Sequence, residues 1–333
     1  MKLFDIFIFS VNAIMPLILI ILLGYFLKQK GFLTKEFLKI GNKLVFRVCL
    51  PTMLFCNIAE LNDIKQIPWN AVIYVLGIII ILVIIGYIIA RFTPDVNQKG
   101  VMMQCIFRSN FALIGVPLAE LLCGNAGVSA AAILSAFTIP IYNILAVLVL
   151  TGFKGEKSAA SIKNQIKGIL HNPLIIGVVL GIIVLILKMT LAPKIPQSIF
   201  EDFRFIKTTL THISRSATPL SLLILGGQFE FDKIKGYRIQ IITATIGRTL
   251  IAPLIGIGIA IVLTKTGILI FEPAIFAALI SLFATPVAVA SAIMAEEMNN
   301  DGQLAAQLVV WTSLISVLTL FGFIFFARFF GVL

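Results

Sequence analysis

Long apolar runs separated by short polar connections set the pattern of this chain. A helix needs about 20 apolar residues to cross the hydrocarbon of a bilayer, and that ruler predicts ten spans. They cover residues 6–27, 37–59, 69–89, 101–123, 128–153, 169–187, 209–229, 239–263, 274–295 and 304–330. The second and seventh are the least hydrophobic. The first is longer than the ~7–15-residue core of a secretory signal. It leads into Lys28-Gln29-Lys30 instead of a small-residue cleavage site, so it reads as a spanning helix.

The fourth span breaks the pattern. Arg108, Ser109, Asn110, Gly115 and Pro117 fall within ten residues that lipid depth should keep apolar. Proline lacks an N–H and clashes with the preceding turn, which predicts that the helix opens near Gly115–Pro117. Opened backbone survives at membrane depth only where protein or a water-lined cavity covers it. A polar, broken helix in such a place is therefore expected to bind something.

The halves of the chain resemble each other. Pro16-Leu17-Ile18 precedes Gly24 as Pro173-Leu174-Ile175 precedes Gly181, and Arg47 stands four residues before Pro51 as Arg215 does before Pro219. Ser109-Asn110-Phe111-Ala112 matches Ser281-Leu282-Phe283-Ala284, with Pro117 and Pro286 behind them. Gly127 with Ala130-Ala131 matches Gly302 with Ala305-Ala306. Five spans per half is an odd number, so the halves insert in opposite senses. The expected fold is all-α and polytopic: ten transmembrane helices in two inverted five-helix repeats. The first repeat covers 1–153, a cytoplasmic linker 154–168, and the second repeat 169–333. Such repeats bind substrate where their discontinuous helices meet, here the fourth and ninth.

Composition agrees with a membrane chain: 59% hydrophobic and 12% charged residues, against roughly 25% charged in soluble domains. The net charge of +11 sits in the connections, without the basic stripe and interleaved aromatics of a nucleic-acid binder. The connections expected in the cytoplasm hold 12 basic residues against 8 elsewhere, which puts both termini outside. The connection between the sixth and seventh spans dissents, with Lys188, Lys194, Arg204 and Lys207 facing outward. Four scattered cysteines and two isolated histidines give no metal or disulfide spacing. No phosphate loop, Walker lysine or catalytic triad is present, so neither an enzyme nor a cofactor is expected.

Several motifs resemble the auxin efflux carrier family of membrane transporters. They are Asn42-Lys43-Leu44-Val45-Phe46 leading to Leu50-Pro51, the Ser109-Asn110 to Gly115-Val116-Pro117 stretch, and the Ala284-Thr285-Pro286 turn. The resemblance covers nearly the whole chain and is closest to the bacterial members with a short central loop. It implies helices four and nine crossing at their broken centres, as in the bile-acid symporter fold, in a multi-pass protein of a bacterial inner membrane. It also implies a small organic anion as ligand, carboxylate or auxin-like, and a homodimer. The family's crossover residues carry onto Asn110, Gly115, Pro117 and Pro286. Leu282 departs from it, standing where a partner for Asn110 is expected.

Four arginines, Arg47, Arg108, Arg215 and Arg248, lie inside spans. Each costs at least ~2.5 kcal/mol near the bilayer centre. They either attract an anion, which a guanidinium grips through two parallel hydrogen bonds, or tie helices together and reach for an interface. Asn110 offers both donors and acceptors to a carboxylate or to opened backbone. Tyr142 and Asn143 follow Pro140 and line the same cavity in this reading, with hydroxyls from Ser281 and Thr285. The crossovers hold no acidic residue, and Glu120 lies beyond Pro117 toward an interface. A sodium- or proton-coupled symporter and a non-transporting receptor are the alternatives to an anion carrier.

Overall fold

The computed structural model describes residues 3–59, 68–153, 173–191, 204–229 and 236–333. The expected linker 154–168 lies outside them. Thirteen α-helices make up the described chain. They are α1 (Leu3–Gln29), α2 (Lys35–Leu44), α3 (Leu50–Ala59), α4 (Trp69–Arg91), α5 (Val96–Phe107), α6 (Val116–Gly152) and α7 (Pro173–Leu191). There follow α8 (Arg204–Gln228), α9 (Arg238–Ile246), α10 (Ala252–Lys265), α11 (Pro273–Phe283), α12 (Ala290–Glu297) and α13 (Gly302–Phe329). Among the described residues there is no strand, only one isolated antiparallel bridge, Ser109 to Val287.

Local chemistry sets the helix ends. Thr34 caps α2 by accepting from the Phe37 N–H, Asp95 caps α5 through Asn97, and Asp301 caps α13 through Leu304. The 37 residues of α6 are two helices, because Cys123 and Gly124 leave helical geometry between them. Gly124 has φ +58°, which a residue without Cβ adopts cheaply.

Four helical stretches among the described residues are long and apolar enough to cross a membrane: Trp69–Arg91, Val116–Gly152, Arg238–Lys265 and Gly302–Phe329. Leu19, Ile73, Ile84, Leu254 and Leu318 present large apolar side chains on the outer surface, as contact with lipid tails requires. Inside, Ala71, Ala90, Ala131, Ala146 and Ala278 are fully buried. Small side chains let the backbones approach where lipid removes the hydrophobic drive between helices.

Three prolines inside helices share one device. Before Pro51, Pro117 and Pro253 the helix widens to a π-turn: Val45–Cys49, Phe111–Gly115 and Gly247–Ile251. The N–H of Leu50 bonds Val45, that of Val116 bonds Phe111, and that of Ala252 bonds Gly247, each five residues back. The wider turn moves the carbonyl that a proline ring would strike. Helix continuity therefore survives at Pro117, where the sequence predicted an opening, and Gly115 keeps helical φ −70° and ψ −44°. The break lies earlier, at Arg108–Asn110, where Arg108 has φ −91° and ψ 117°.

A second break separates α11 from α12, and the two cross. The Asn110 N–H donates to the Pro286 carbonyl at 2.8 Å beside the Ser109–Val287 bridge. Ser281–Ala284 is the last turn of α11 and its cap, whereas Ser109–Asn110 are the break itself. The crossing is held from behind by Arg248, which is fully buried. Its Nε donates to Thr285 O at 2.9 Å and its Nη2 to Leu282 O and Phe283 O at 3.1 and 2.9 Å. Its Nη1 donates to Ile106 O and Phe107 O at 3.2 and 3.4 Å. All five guanidinium N–H groups are used, and they satisfy the carbonyls that end α5 and α11.

Two groups of helices pack around this knot. In one, α1 lies on α8, and α3 on α7 and α8. In the other, α6 lies on α11 and α5, α4 on α5, and α10 on α11. The groups meet where α13 touches α1 and where α12 touches α2 and α8.

Removing Arg248 leaves up to five carbonyls unpaired at the crossing. Arg248→Met is expected to lower stability by about 3 kcal/mol or more. Arg248→Lys should fall between, because three ammonium donors replace a five-donor fork. Thermal unfolding of the detergent-solubilised protein measures both. A melting temperature unchanged in Arg248→Met would remove the role assigned to this side chain.

Candidate functional site

The crossing opens on its other side into a cavity of about 490 Å3 between the two helix groups. The crossover contributes Arg108 to Phe111 and Ala288 to Ala290; α6 contributes Ile139, Tyr142 and Asn143. From the other group come Leu50, Met53 and Leu54, and from α8 the face carrying Ser214, Arg215, Thr218 and Ser221. The two charged side chains among these lining residues are both arginines.

Two helices begin at this cavity. The π-turn that leads into α6 starts after Asn110, and α12 starts at Ala290. Helix N-termini carry partial positive charge, and C-termini partial negative charge. Here the two C-terminal ends face Arg248 and the two N-terminal ends border the cavity, so one cation neutralises the negative poles and leaves the positive ones available.

Arg108 is buried at the cavity edge. Its Nη2 donates to Asn143 Oδ1 at 2.9 Å, and Nη1 lies against Met294 Sδ. Neither partner is acidic, so the charge is oriented without being neutralised. Asn143 is held in turn by its own Nδ2, which donates to Ile139 O at 2.8 Å. Asn110 Nδ2 in the lining is buried without a hydrogen-bond partner, and Ser109 Oγ and Tyr142 Oη are buried with no partner beyond each other. Such atoms cost about 1–3 kcal/mol each when left unpaired. Three on one cavity wall beside an oriented guanidinium make a donor set for an acceptor-rich ligand.

The structure brings Asn110, Tyr142, Asn143, Arg108 and Arg215 together here. The other residues singled out from sequence stand elsewhere. Gly115 packs where a Cβ would come within 2.8 Å of the Ser281 carbonyl, so it permits close approach of α11. Pro117 is exposed. Thr285 is fully buried, gives its carbonyl to Arg248 and donates its Oγ1 to Ser281 O. Ser281 Oγ is buried and unpartnered but outside the lining, and Pro286 contributes the carbonyl that Asn110 grips. Arg47 is exposed on its π-turn and Glu120 on α6, both away from the cavity.

Sequence reasoning missed Ser109, Ser214, Thr218 and Ser221 as lining residues. The last three had a visible signal: they repeat at helical spacing with Arg215 in the seventh span and are one reason for its low hydrophobicity. Ala288 to Ala290 line the cavity through an ordinary-looking apolar stretch and gave no signal.

Residues 9–324 match the model of a family described as membrane transport protein. The chain is 24% identical over 318 residues to an uncharacterized transporter of Methanothermobacter thermautotrophicus, covering 95% of this chain and 97% of that protein. It is 22% identical over 254 residues to an uncharacterized transporter of Methanocaldococcus jannaschii, covering 73% and 76% of the two chains. A family match over nearly its full length, on a helical chain with membrane-crossing segments, places this protein in the membrane transport protein family, the auxin efflux carriers.

Proposed function

We propose that this protein is a secondary transporter for a small organic anion, of carboxylate or auxin-like type, working by alternating access at the crossover. The observation that carries the reading is the donor set of the cavity: Arg108 oriented by Asn143, with the unpartnered Asn110 amide and the buried Ser109 and Tyr142 hydroxyls around it. A carboxylate has acceptor lone pairs for these groups, and the two helix N-termini favour its charge. Arg215 supplies a second cation from the facing helix group. The presence of arginines where a sodium or proton carrier would hold carboxylates supports an anion site over a cation-coupled one.

The reading includes the ten-helix, inverted-repeat architecture with repeats 1–153 and 169–333. Paired glycine contacts support it. Gly24 of α1 packs on the Leu223 carbonyl, and Gly181 of α7 packs so that a Cβ would come within 3.1 Å of the Phe55 carbonyl. Gly24 and Gly181 are the repeat-matched glycines, and Phe55 and Leu223 follow Pro51 and Pro219 by four residues each. The contact between α1 and α8 thus has its mirror between α7 and α3. In alternating access the group holding the crossover moves against α1, α3, α7 and α8, with the cavity at the sliding boundary. The membrane orientation in this reading has both termini outside and the linker 154–168 in the cytoplasm. Dimer formation follows from the family resemblance.

Asn110→Ala is expected to cut carboxylate flux in proteoliposomes by roughly tenfold or more, the loss of one or two ligand hydrogen bonds. The melting temperature should stay near that of the unsubstituted protein, and undiminished flux would take Asn110 out of the site. Arg215→Gln should raise KM for a carboxylate more than for its neutral amide analogue; equal losses would mean that the arginine serves structure instead. A cysteine at Ser161 should react with a membrane-impermeant maleimide only from the cytoplasmic side, and external labelling would overturn the orientation.

A further inference from the structure

The turn between α12 and α13 is tied to its own helix group by side chains. Gln98 Nε2 and Tyr237 Oη donate to the Asp301 carboxylate, each at 3.1 Å. Asn300 Nδ2 donates to Leu150 O at 3.1 Å, and the Asp301 N–H donates to Asn97 O at 3.2 Å. These bonds fix the turn to α5, α6 and the start of α9. Hydrogen bonds also cross from it to the other helix group. Asn42 Nδ2 of α2 donates to Glu297 Oε1, at the end of α12, at 2.9 Å. Gln303 Nε2 of α13 donates to Gln228 O, at the end of α8, at 2.8 Å.

Both amides of this boundary are only half used. Asn42 Oδ1 and Gln303 Oε1 are buried without a hydrogen-bond partner. A buried acceptor left unpaired carries the cost of its lost hydration. Parting the boundary would return water to both oxygens and so offset the bonds that break. A seam with that balance holds when shut and opens at small net cost.

The boundary seals one end of the crossover cavity. Ala290 lines the cavity, and Glu297 lies two turns further along the same face of α12. Ile293 stands between them and is fully buried. On α8, Leu222 lines the cavity, Leu225 is fully buried, and Gln228 lies about 9 Å beyond Leu222. In the other direction the same face opens: Thr218 is half-buried and Arg215 exposed. The seam also gives a use to Asn42, which begins the motif ending at Pro51 and lies outside the cavity lining.

We infer that this boundary is a gate of the carrier, shut in this structure at the Gln228 end of α8, and that Asn42 and Glu297 are its latch. The α12–α13 turn moves with the group that holds the crossover, so the pair must part before the cavity opens on that side. In the proposed orientation that side is cytoplasmic. The purpose of the gate rests on the carrier reading, whereas its opening is measurable without any transport.

The test places a reporter cysteine at Ile293, or at Leu225 should the first variant express poorly, in protein held in nanodiscs. Its labelling by a sulfonated maleimide is followed in mildly alkaline buffer, after subtraction of the rate without the reporter. N42D sets two carboxylates against each other and is expected to speed labelling by roughly fivefold or more. N42D/E297Q restores the pair with donor and acceptor exchanged, and the rate should return close to that of the unsubstituted latch. Should N42D fail to express, E297A against E297Q makes the same comparison, since only the second keeps an acceptor for Asn42. A cysteine at Ile79, fully buried in α4, should stay unlabelled throughout. A rate indifferent to N42D and E297A overturns the inference. So does an acceleration that N42D/E297Q or E297Q retains, or an equal acceleration at Ile79, which would mean general loosening. The expected pattern without carboxylate flux in proteoliposomes would fault the carrier reading and leave the hinged boundary standing. Flux without the pattern would fault the gate alone.

Discussion

Breaking two helices at membrane depth exposes carbonyls that nothing in lipid can satisfy, and the fold depends on how that problem is solved. Arg248 solves it from one residue, with five N–H groups on five carbonyls at the ends of α5 and α11. A buried guanidinium would be costly alone. Its partners here are the negative ends of two helix dipoles, so desolvation is offset by charge as well as by hydrogen bonds. The crossing needs this cation, and the cation needs the crossing.

That arrangement has an electrostatic consequence on the other side of the knot. With the C-terminal poles neutralised, the N-terminal poles at Phe111 and Ala290 act on the cavity together with Arg108 and Arg215. Arg108 is aligned by neutral partners, Asn143 and Met294, and keeps its charge for whatever enters. The buried polar atoms of Ser109, Asn110 and Tyr142 lie on the same wall. Two arginines stand either side of the crossover, one fully engaged in holding it and one only oriented, and the proposed carrier uses the second for recognition.

The prolines illustrate how local chemistry is redirected by context. Pro51, Pro117 and Pro253 each lack a donor, and in each case a π-turn absorbs the defect while the helix continues. The true break at Arg108–Asn110 has no proline in it. It is held open by partners distant in sequence: Pro286 O for the Asn110 N–H and Val287 for the bridge with Ser109. A proline rule applied along one helix points near the break but to the wrong residues, because what stabilises the opened backbone comes from the other half of the chain.

The sequence alone determined the apolar runs, the membrane class, the family resemblance and the polar fourth helix, since those follow from composition and spacing read locally. It also singled out Asn110, Arg108, Tyr142, Asn143 and Arg215, because polar groups inside apolar helices are costly wherever they end up. Tertiary structure alone decided which polar groups meet. Arg248, Thr285 and Ser281 looked no different from the cavity residues until the crossing turned them inward, and Ala288 to Ala290 became lining only because α12 starts there. A helical sequence records which face of each helix is polar. The neighbour which that face meets is set by packing between segments more than a hundred residues apart, as Arg248 with Ile106 and Asn110 with Pro286 show.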